Sequence, residues 1–111
     1  MPTEINREIF DQLKDILEED FMIVIDGFFS EGARLVDRMD KGVEEANFDT
    51  IRDVAHTMKS MSGNLGAMAL SGCADDLQVA AVNEDIVAIK QILPVFLGLY
   101  RKAIDEIKSL T

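Results

Sequence analysis

The chain has 111 residues, and 21 acidic against 11 basic side chains give it a formal net charge of −10. This length suits one domain over residues 1–111 and is too short for a bilobed enzyme. Nucleic acids and anionic membranes attract clustered Lys and Arg, so the acidity disfavours both as partners. The single cysteine, Cys73, excludes an internal disulfide, and neither a signal peptide nor a membrane span is recognised. We expect a cytoplasmic monomer.

Helical periodicity dominates the sequence from its start. A short amphipathic lead helix is predicted first, with Thr3 as its N-cap. The second helix has residues at alternating intervals of four and three that form an apolar seam: Phe21, Ile25, Phe28, Gly32, Leu35, Met39, Gly42 and Ala46. The run Phe21–Ile25 favours a strand by propensity, but the helical period continues beyond it and no partner strand is predicted. Gly32, on the seam, predicts a close helix crossing.

Three more helices follow. The third begins after the turn Asn47–Asp49, and its apolar positions are Ile51, Val54, Met58, Met61 and Leu65. The fourth is short, from about Leu70 to Ala81. The fifth is capped near Asn83–Asp85 and extends to Leu110, with Pro94 expected to kink it or to leave backbone groups unpaired. Because the connections are short, we predict an all-α fold: an up-down-up-down antiparallel four-helix bundle with a short N-terminal cap helix.

The only histidine, His56, lies on the third helix. With a turn of about 100° per residue, it falls roughly opposite the centre of the apolar seam and is predicted to face solvent. Lys59 and Arg52 fall on the same face, with Ser60 and Gly63 beside them. We therefore expect a locally basic site on a convex helix surface.

Several functions are open to an exposed histidine. A metal site is disfavoured because one His and one Cys on different helices do not form a coordination shell. A hydrolytic triad is disfavoured because a convex face has no pocket. An incidental surface histidine stays open, as does a nucleophile, since imidazole is largely neutral near pH 7 and can attack a phosphoryl group carried by another protein.

The segment Ala55–Ala67, AHTMKSMSGNLGA, resembles the motif of histidine-containing phosphotransfer (HPt) domains, roughly A-H-x-L-K-G-x-S/A-x-x-L/I/V-G-A. The resemblance extends over nearly the whole chain. It implies that His56 accepts a phosphoryl group through Nε2 and that Lys59 stabilises the phosphohistidine. It also implies that Gly66 and Ala67 end this helix and start the next.

The same resemblance implies a phosphocarrier in a two-component phosphorelay. Its partners would be receiver domains of a response regulator or a hybrid sensor histidine kinase, with phosphate taken from an aspartyl-phosphate. The divalent metal would belong to the receiver, and the chain itself would need no cofactor and have no independent catalytic activity. The alternative is a non-catalytic helical adaptor that binds a receiver or kinase without transfer. A self-contained enzyme is disfavoured, because no second nucleophile or glycine-rich phosphate loop is present.

A receiver-docking surface is predicted around the histidine. We assign to it Arg52, Ser60, Gly63 and Asn64. Ser60 stands where the family usually has glycine, and its hydroxymethyl group either hinders the receiver or donates a hydrogen bond to a phosphoryl oxygen. Met22 and Ile23 widen the apolar band of the second helix. Either the lead helix covers them or they form an exposed docking patch.

Overall fold

The computed structural model describes residues 4–111, which form five α-helices joined by short turns. These are α1 (Arg7–Leu17), α2 (Phe21–Glu44), α3 (Phe48–Asn64), α4 (Met68–Val82) and α5 (Ile86–Leu110), with a 3₁₀ turn at Glu18–Asp20. Each helix of the bundle packs on the next, and α2 also packs on α5. The predicted all-α bundle with a short lead helix is confirmed. No helix in this part of the chain combines the length and apolarity needed to cross a bilayer.

The predicted seams form the core. Every helix contributes large buried side chains, among them Phe10, Leu35, Met58, Leu77 and Phe96. Each such side chain contributes about 1.5–3 kcal/mol when removed from water. The close crossing predicted at Gly32 is confirmed, because a Cβ there would lie 3.0 Å from the Tyr100 hydroxyl oxygen on α5.

Three of the helices, α1, α3 and α5, start at side-chain caps. The carboxamides of Asn6 and Asn47 and the carboxylate of Asp85 each accept a backbone N–H from the first turn of α1, α3 and α5. The cap predicted near Asn83–Asp85 is thus confirmed, and α3 begins at the turn predicted at Asn47–Asp49. Thr3, the predicted cap of the lead helix, lies outside the described residues, and α1 begins three residues later than that cap would require. Pro94 does not end α5, which continues as one helix on both sides of it.

Three helices end in the same left-handed turn. Ala46, Gly66 and Glu84 have positive φ angles of 51°, 87° and 53° after α2, α3 and α4. In each case the next N–H donates back to a carbonyl five residues earlier, for example Asn47 to Gly42 at 2.8 Å. The placement of Ala46 on the buried seam is therefore wrong. It is exposed in a turn, because the helix stops at Glu44.

A short N-terminal segment fastens this end of the bundle. The Asn6 N–H donates to the Gly66 carbonyl at 2.7 Å, and the Glu4 carboxylate accepts from the Leu70 N–H in the first turn of α4 at 3.0 Å. The Glu106 carboxylate on α5 accepts from the N–H groups of Glu4 and Ile5. Residues 4–6, called the strap below, therefore join α5 to the α3–α4 turn.

Candidate functional site

The helical phase of α3 is as predicted. Val54, Ala55 and Met58 are fully buried, whereas His56 and Lys59 are exposed. Three buried positions interleaved with the polar ones hold α3 rigidly against the core. The helix therefore presents the imidazole of His56 to solvent from a fixed backbone.

The His56 ring is held from α4. Gln78 places its carboxamide Nε2 3.3 Å from His56 Nδ1. None of the hydrogen bonds within residues 4–111 involves the other ring nitrogen, His56 Nε2. The contact engages one edge of the ring, and which of the two side chains donates depends on the tautomer of the imidazole.

Both cations near the histidine are paired with acids. Lys59 Nζ lies 2.9 Å from Asp75 Oδ1 on α4, and each of the two side chains is 45% exposed. Arg52 contacts Asp49 at 3.5 Å and Asp53 at 3.3 Å. The predicted locally basic site is therefore wrong. The helical wheel counted the cations of this face but did not show which acids the fold brings to them.

The site is a groove rather than a convex surface. A volume of about 300 Å³ lies between α3 and α4. Its lining residues are His56, Lys59, Asp75, Gln78, Val79, Val82 and Asn83. The prediction of a convex face was wrong, because it treated α3 alone and omitted the wall that α4 supplies.

Asp75 and Gln78 are the residues that sequence reasoning missed. Together with Val79 and Val82 they recur at intervals of three, one and three, which places them on one face of α4. That stripe was visible in the sequence. Its packing beside α3, next to His56, was not.

The predicted docking residues divide between two environments. Ser60 and Asn64 are exposed, whereas Gly63 is half-buried, and a Cβ on it would lie 3.3 Å from Ser71 Oγ on α4. The Ser71 hydroxyl also donates to the Lys59 carbonyl at 2.9 Å. Gly63 therefore permits close packing of α3 on α4 as well as leaving the surface flat.

An apolar patch lies on α2. Ile23 is 70% exposed, and Met22 and Val24 are also exposed, so the alternative that the lead helix covers them is wrong. Val24 borders a second groove of about 270 Å³ that Met61 and Asn64 on α3 also line. The patch thus continues onto α3, the helix that carries His56.

The described residues do not assemble a metal site. Within residues 4–111, no group of three or more His, Cys, Asp or Glu side chains is placed to hold a metal ion. Burial raises the pKa of the Cys73 thiol, and the carboxylate of Asp76 raises it further. Because the thiolate is the reactive form, Cys73 is a poor nucleophile and acts as a core residue.

Comparisons with known proteins agree with this geometry. The family model of the Hpt domain matches residues 24–109. Among solved structures, histidine-containing phosphotransfer protein B of Pseudomonas aeruginosa PAO1 is similar, with a TM-score of 0.92 and 16% sequence identity. The alignment covers 98% of this chain and 95% of that one, a likeness of fold. No curated protein sequence matches. The family match spans most of the chain, and the protein therefore belongs to the Hpt domain family.

Proposed function

We propose that the protein is a phosphorelay carrier in which His56 takes a phosphoryl group from the aspartyl-phosphate of one receiver domain and passes it to another. Membership of the Hpt family supports a phosphotransfer carrier in two-component signalling. The observation that carries the assignment to this residue is an exposed imidazole whose Nδ1 is held by Gln78 while Nε2 stays free of hydrogen bonds within residues 4–111.

The transfer is an in-line displacement at phosphorus. The Nε2 lone pair forms the new P–N bond as the P–O bond to the receiver's aspartyl carboxylate breaks, and the carboxylate leaves with the electron pair. The ring keeps its Nδ1 proton and becomes a phosphorylated imidazolium. In the onward step an aspartate of the second receiver attacks phosphorus, and neutral His56 is regenerated.

Gln78 selects the tautomer that this chemistry requires. Nucleophilic Nε2 needs the proton on Nδ1, so the group opposite Nδ1 must accept a hydrogen bond. The oxygen and nitrogen of a carboxamide have nearly the same shape, and a half-turn of Gln78 exchanges them. With Oε1 facing Nδ1, Gln78 accepts a hydrogen bond from the Nδ1–H group and stabilises the imidazolium that forms.

Lys59 is the phosphoryl-stabilising cation in this proposal. It lies one helical turn from His56 on α3 and lines the same groove. An ammonium at that position offsets charge on the phosphoryl oxygens during transfer. In the resting protein the Lys59 ammonium pairs with the Asp75 carboxylate, so it must leave that carboxylate to contact the phosphoryl group.

The docking surface proposed for the receiver combines the apolar patch of α2 with the exposed polar face of α3. Met22 and Ile23 supply apolar area, while Arg52, Ser60 and Asn64 supply polar contacts around the histidine. The receiver contributes the divalent metal and the acidic pocket. The carrier then needs no cofactor and no independent catalytic activity, and we expect it to act as a cytoplasmic monomer.

The test is phosphoryl transfer to the protein from a receiver domain whose gene lies next to its own. The receiver is phosphorylated, mixed with wild type or with the His56→Gln variant, and the bound phosphate is separated by chain. We expect acid-labile, alkali-stable phosphate on the wild type and none on the variant. If no receiver of the cell transfers phosphate to the wild type, the proposed carrier function is contradicted. If a receiver also binds wild type and variant equally, the non-catalytic adaptor is the better description.

A further inference from the structure

The ion pair between Lys59 and Asp75 crosses from α3 to α4 beside the histidine, with 2.9 Å between Lys59 Nζ and Asp75 Oδ1. We propose that Asp75 is a positioning residue that sets the phosphoryl-transfer equilibrium of His56 by competing with the phosphoryl group for Lys59. This inference rests on the proposed function and concerns how strongly the carrier retains its phosphate.

The charges of the groove carry the argument. In the resting protein Lys59 and Asp75 neutralise each other, and His56 shares their groove. A phosphoryl group brings a charge of about −2 at neutral pH, and the imidazolium that forms offsets about one of these charges, so the site gains about −1. Lys59 can pair with this group only by leaving Asp75 or by sharing its ammonium with both. In either case the groove then holds an excess of negative charge.

Asp75 cannot move away from this repulsion easily. Its neighbours Ala74 and Leu77 are fully buried and fix the backbone of α4 against the core. Asp75 also lies one helical turn before Gln78, which holds the His56 ring. The carboxylate therefore stays beside the acceptor, and only its side-chain torsions can change.

These charges shift the equilibrium towards transfer of the phosphoryl group from His56 to a receiver. Repulsion from Asp75 raises the free energy of the phosphorylated state more than that of the resting state, and the loss of the Lys59 partner adds to it. For net charges of about −1 on the phosphorylated ring and −1 on Asp75, several ångströms apart in a water-like dielectric, the equilibrium constant changes by about threefold at low salt. Because the pair is half-exposed, salt screens this effect.

The experiment compares four proteins: wild type, Asp75→Asn, Asp75→Glu and Asp76→Asn. The last is the matched control, since Asp76 is exposed, loses the same charge and does not pair with Lys59. Each is equilibrated with the same phosphorylated receiver, and the ratio of phosphocarrier to phosphoreceiver is measured at low and high salt. We expect Asp75→Asn to raise the ratio about threefold at low salt and less at high salt, with Asp75→Glu near wild type.

A receiver-free reaction separates this inference from the proposed function. Phosphoramidate transfers its phosphoryl group to imidazole directly, with cleavage of its P–N bond and release of ammonia. We expect Asp75→Asn to accumulate more phosphohistidine from phosphoramidate than Asp76→Asn does. Equal labelling of these two variants, or equal receiver ratios, overturns the role of Asp75. If phosphoramidate labels the protein but no receiver does, the proposed carrier function is overturned, while the effect of Asp75 on the groove stands. If neither donor labels the protein, the carrier function and the role of Asp75 are both overturned.

Discussion

Replacement of Gly66 by alanine is predicted to cost about 3 kcal/mol of unfolding free energy. Gly66 has a φ of +87°, and a Cβ there would lie 2.7 Å from the Asn6 carbonyl oxygen of the strap. The left-handed conformation costs a non-glycine residue about 1–2 kcal/mol. Relief of the contact requires displacement of the strap, which costs about 1–2 kcal/mol more. A backbone atom, rather than a flexible side chain, occupies the space.

The strap has little freedom to move aside. The Asn6 N–H donates to the carbonyl of Gly66 itself, and Glu4 and Ile5 are held by the Glu106 carboxylate. For a domain of this size, a loss of about 3 kcal/mol lowers the midpoint of thermal unfolding by roughly 10–15 °C.

The assay is unfolding in urea and by heat, followed by circular dichroism. Gly72→Ala is the matched control, because Gly72 lies inside α4 and a Cβ there would meet nothing within 4 Å. In a helix interior this change stabilises by about 0.5–1 kcal/mol. Glycine-to-alanine substitution is thus expected to lower the unfolding free energy at position 66 and to raise it at position 72. If the unfolding free energy of Gly66→Ala lies within about 0.5 kcal/mol of wild type, the predicted clash with the strap is refuted.

Four further predictions concern stability and transfer. Ala46→Gly is expected to raise the unfolding free energy by about 1 kcal/mol in urea titrations, because φ at this position is 51°. Ser62→Ala is expected to raise it by about 1 kcal/mol, since the buried Ser62 Oγ has no hydrogen-bond partner among the described residues; an unchanged or lower value contradicts this. Burial raises the pKa of Glu4, so its contribution to stability is present at acid pH and lost as pH rises above the usual carboxyl range. The stability of wild type relative to Glu4→Gln should therefore fall as the pH rises above the usual carboxyl range, and a difference in urea titrations that does not change with pH speaks against this. Gln78→Leu is expected to slow phosphorylation of His56 about tenfold without loss of stability, whereas Gln78→Glu, which keeps an acceptor opposite Nδ1, should retain most of the rate; equal rates in both variants argue against selection of the tautomer.

Periodicity predicted the helices because burial along a helix must recur every three to four residues. Met58 and Leu77 are buried and His56 is exposed for that reason. The Asn47 cap was also predictable, because its carboxamide acts on the adjacent turn. Ala46 was misplaced because periodicity continued past a turn in which an alanine occupies the position usually taken by glycine.

The contents of the site were harder to predict, because they depend on which helix faces meet. Lys59 was identified from α3, but its partner Asp75 lies 16 positions later and on another helix. The same holds for His56 and Gln78, which are 22 positions apart. A pattern within one helix shows which side is polar, and it does not show which polar side of a neighbour will lie opposite. The identity of the receiver-docking residues therefore stays a prediction.

Four of the five polar residues that line the groove lie on one helical hairpin, α3–α4, which packs more closely than any other helix pair in residues 4–111, and the fifth, Asn83, follows directly after α4. On α4, Asp75 and Gln78 face the groove while Leu77 and Ala81 fill the core. Substitutions on the groove side of α4 can therefore change the surroundings of His56 without changing the packing of the core. If His56 carries phosphate as proposed, the groove-facing positions of α4 can be randomised to select variants that retain phosphate for different times, while the remaining helices stay unchanged.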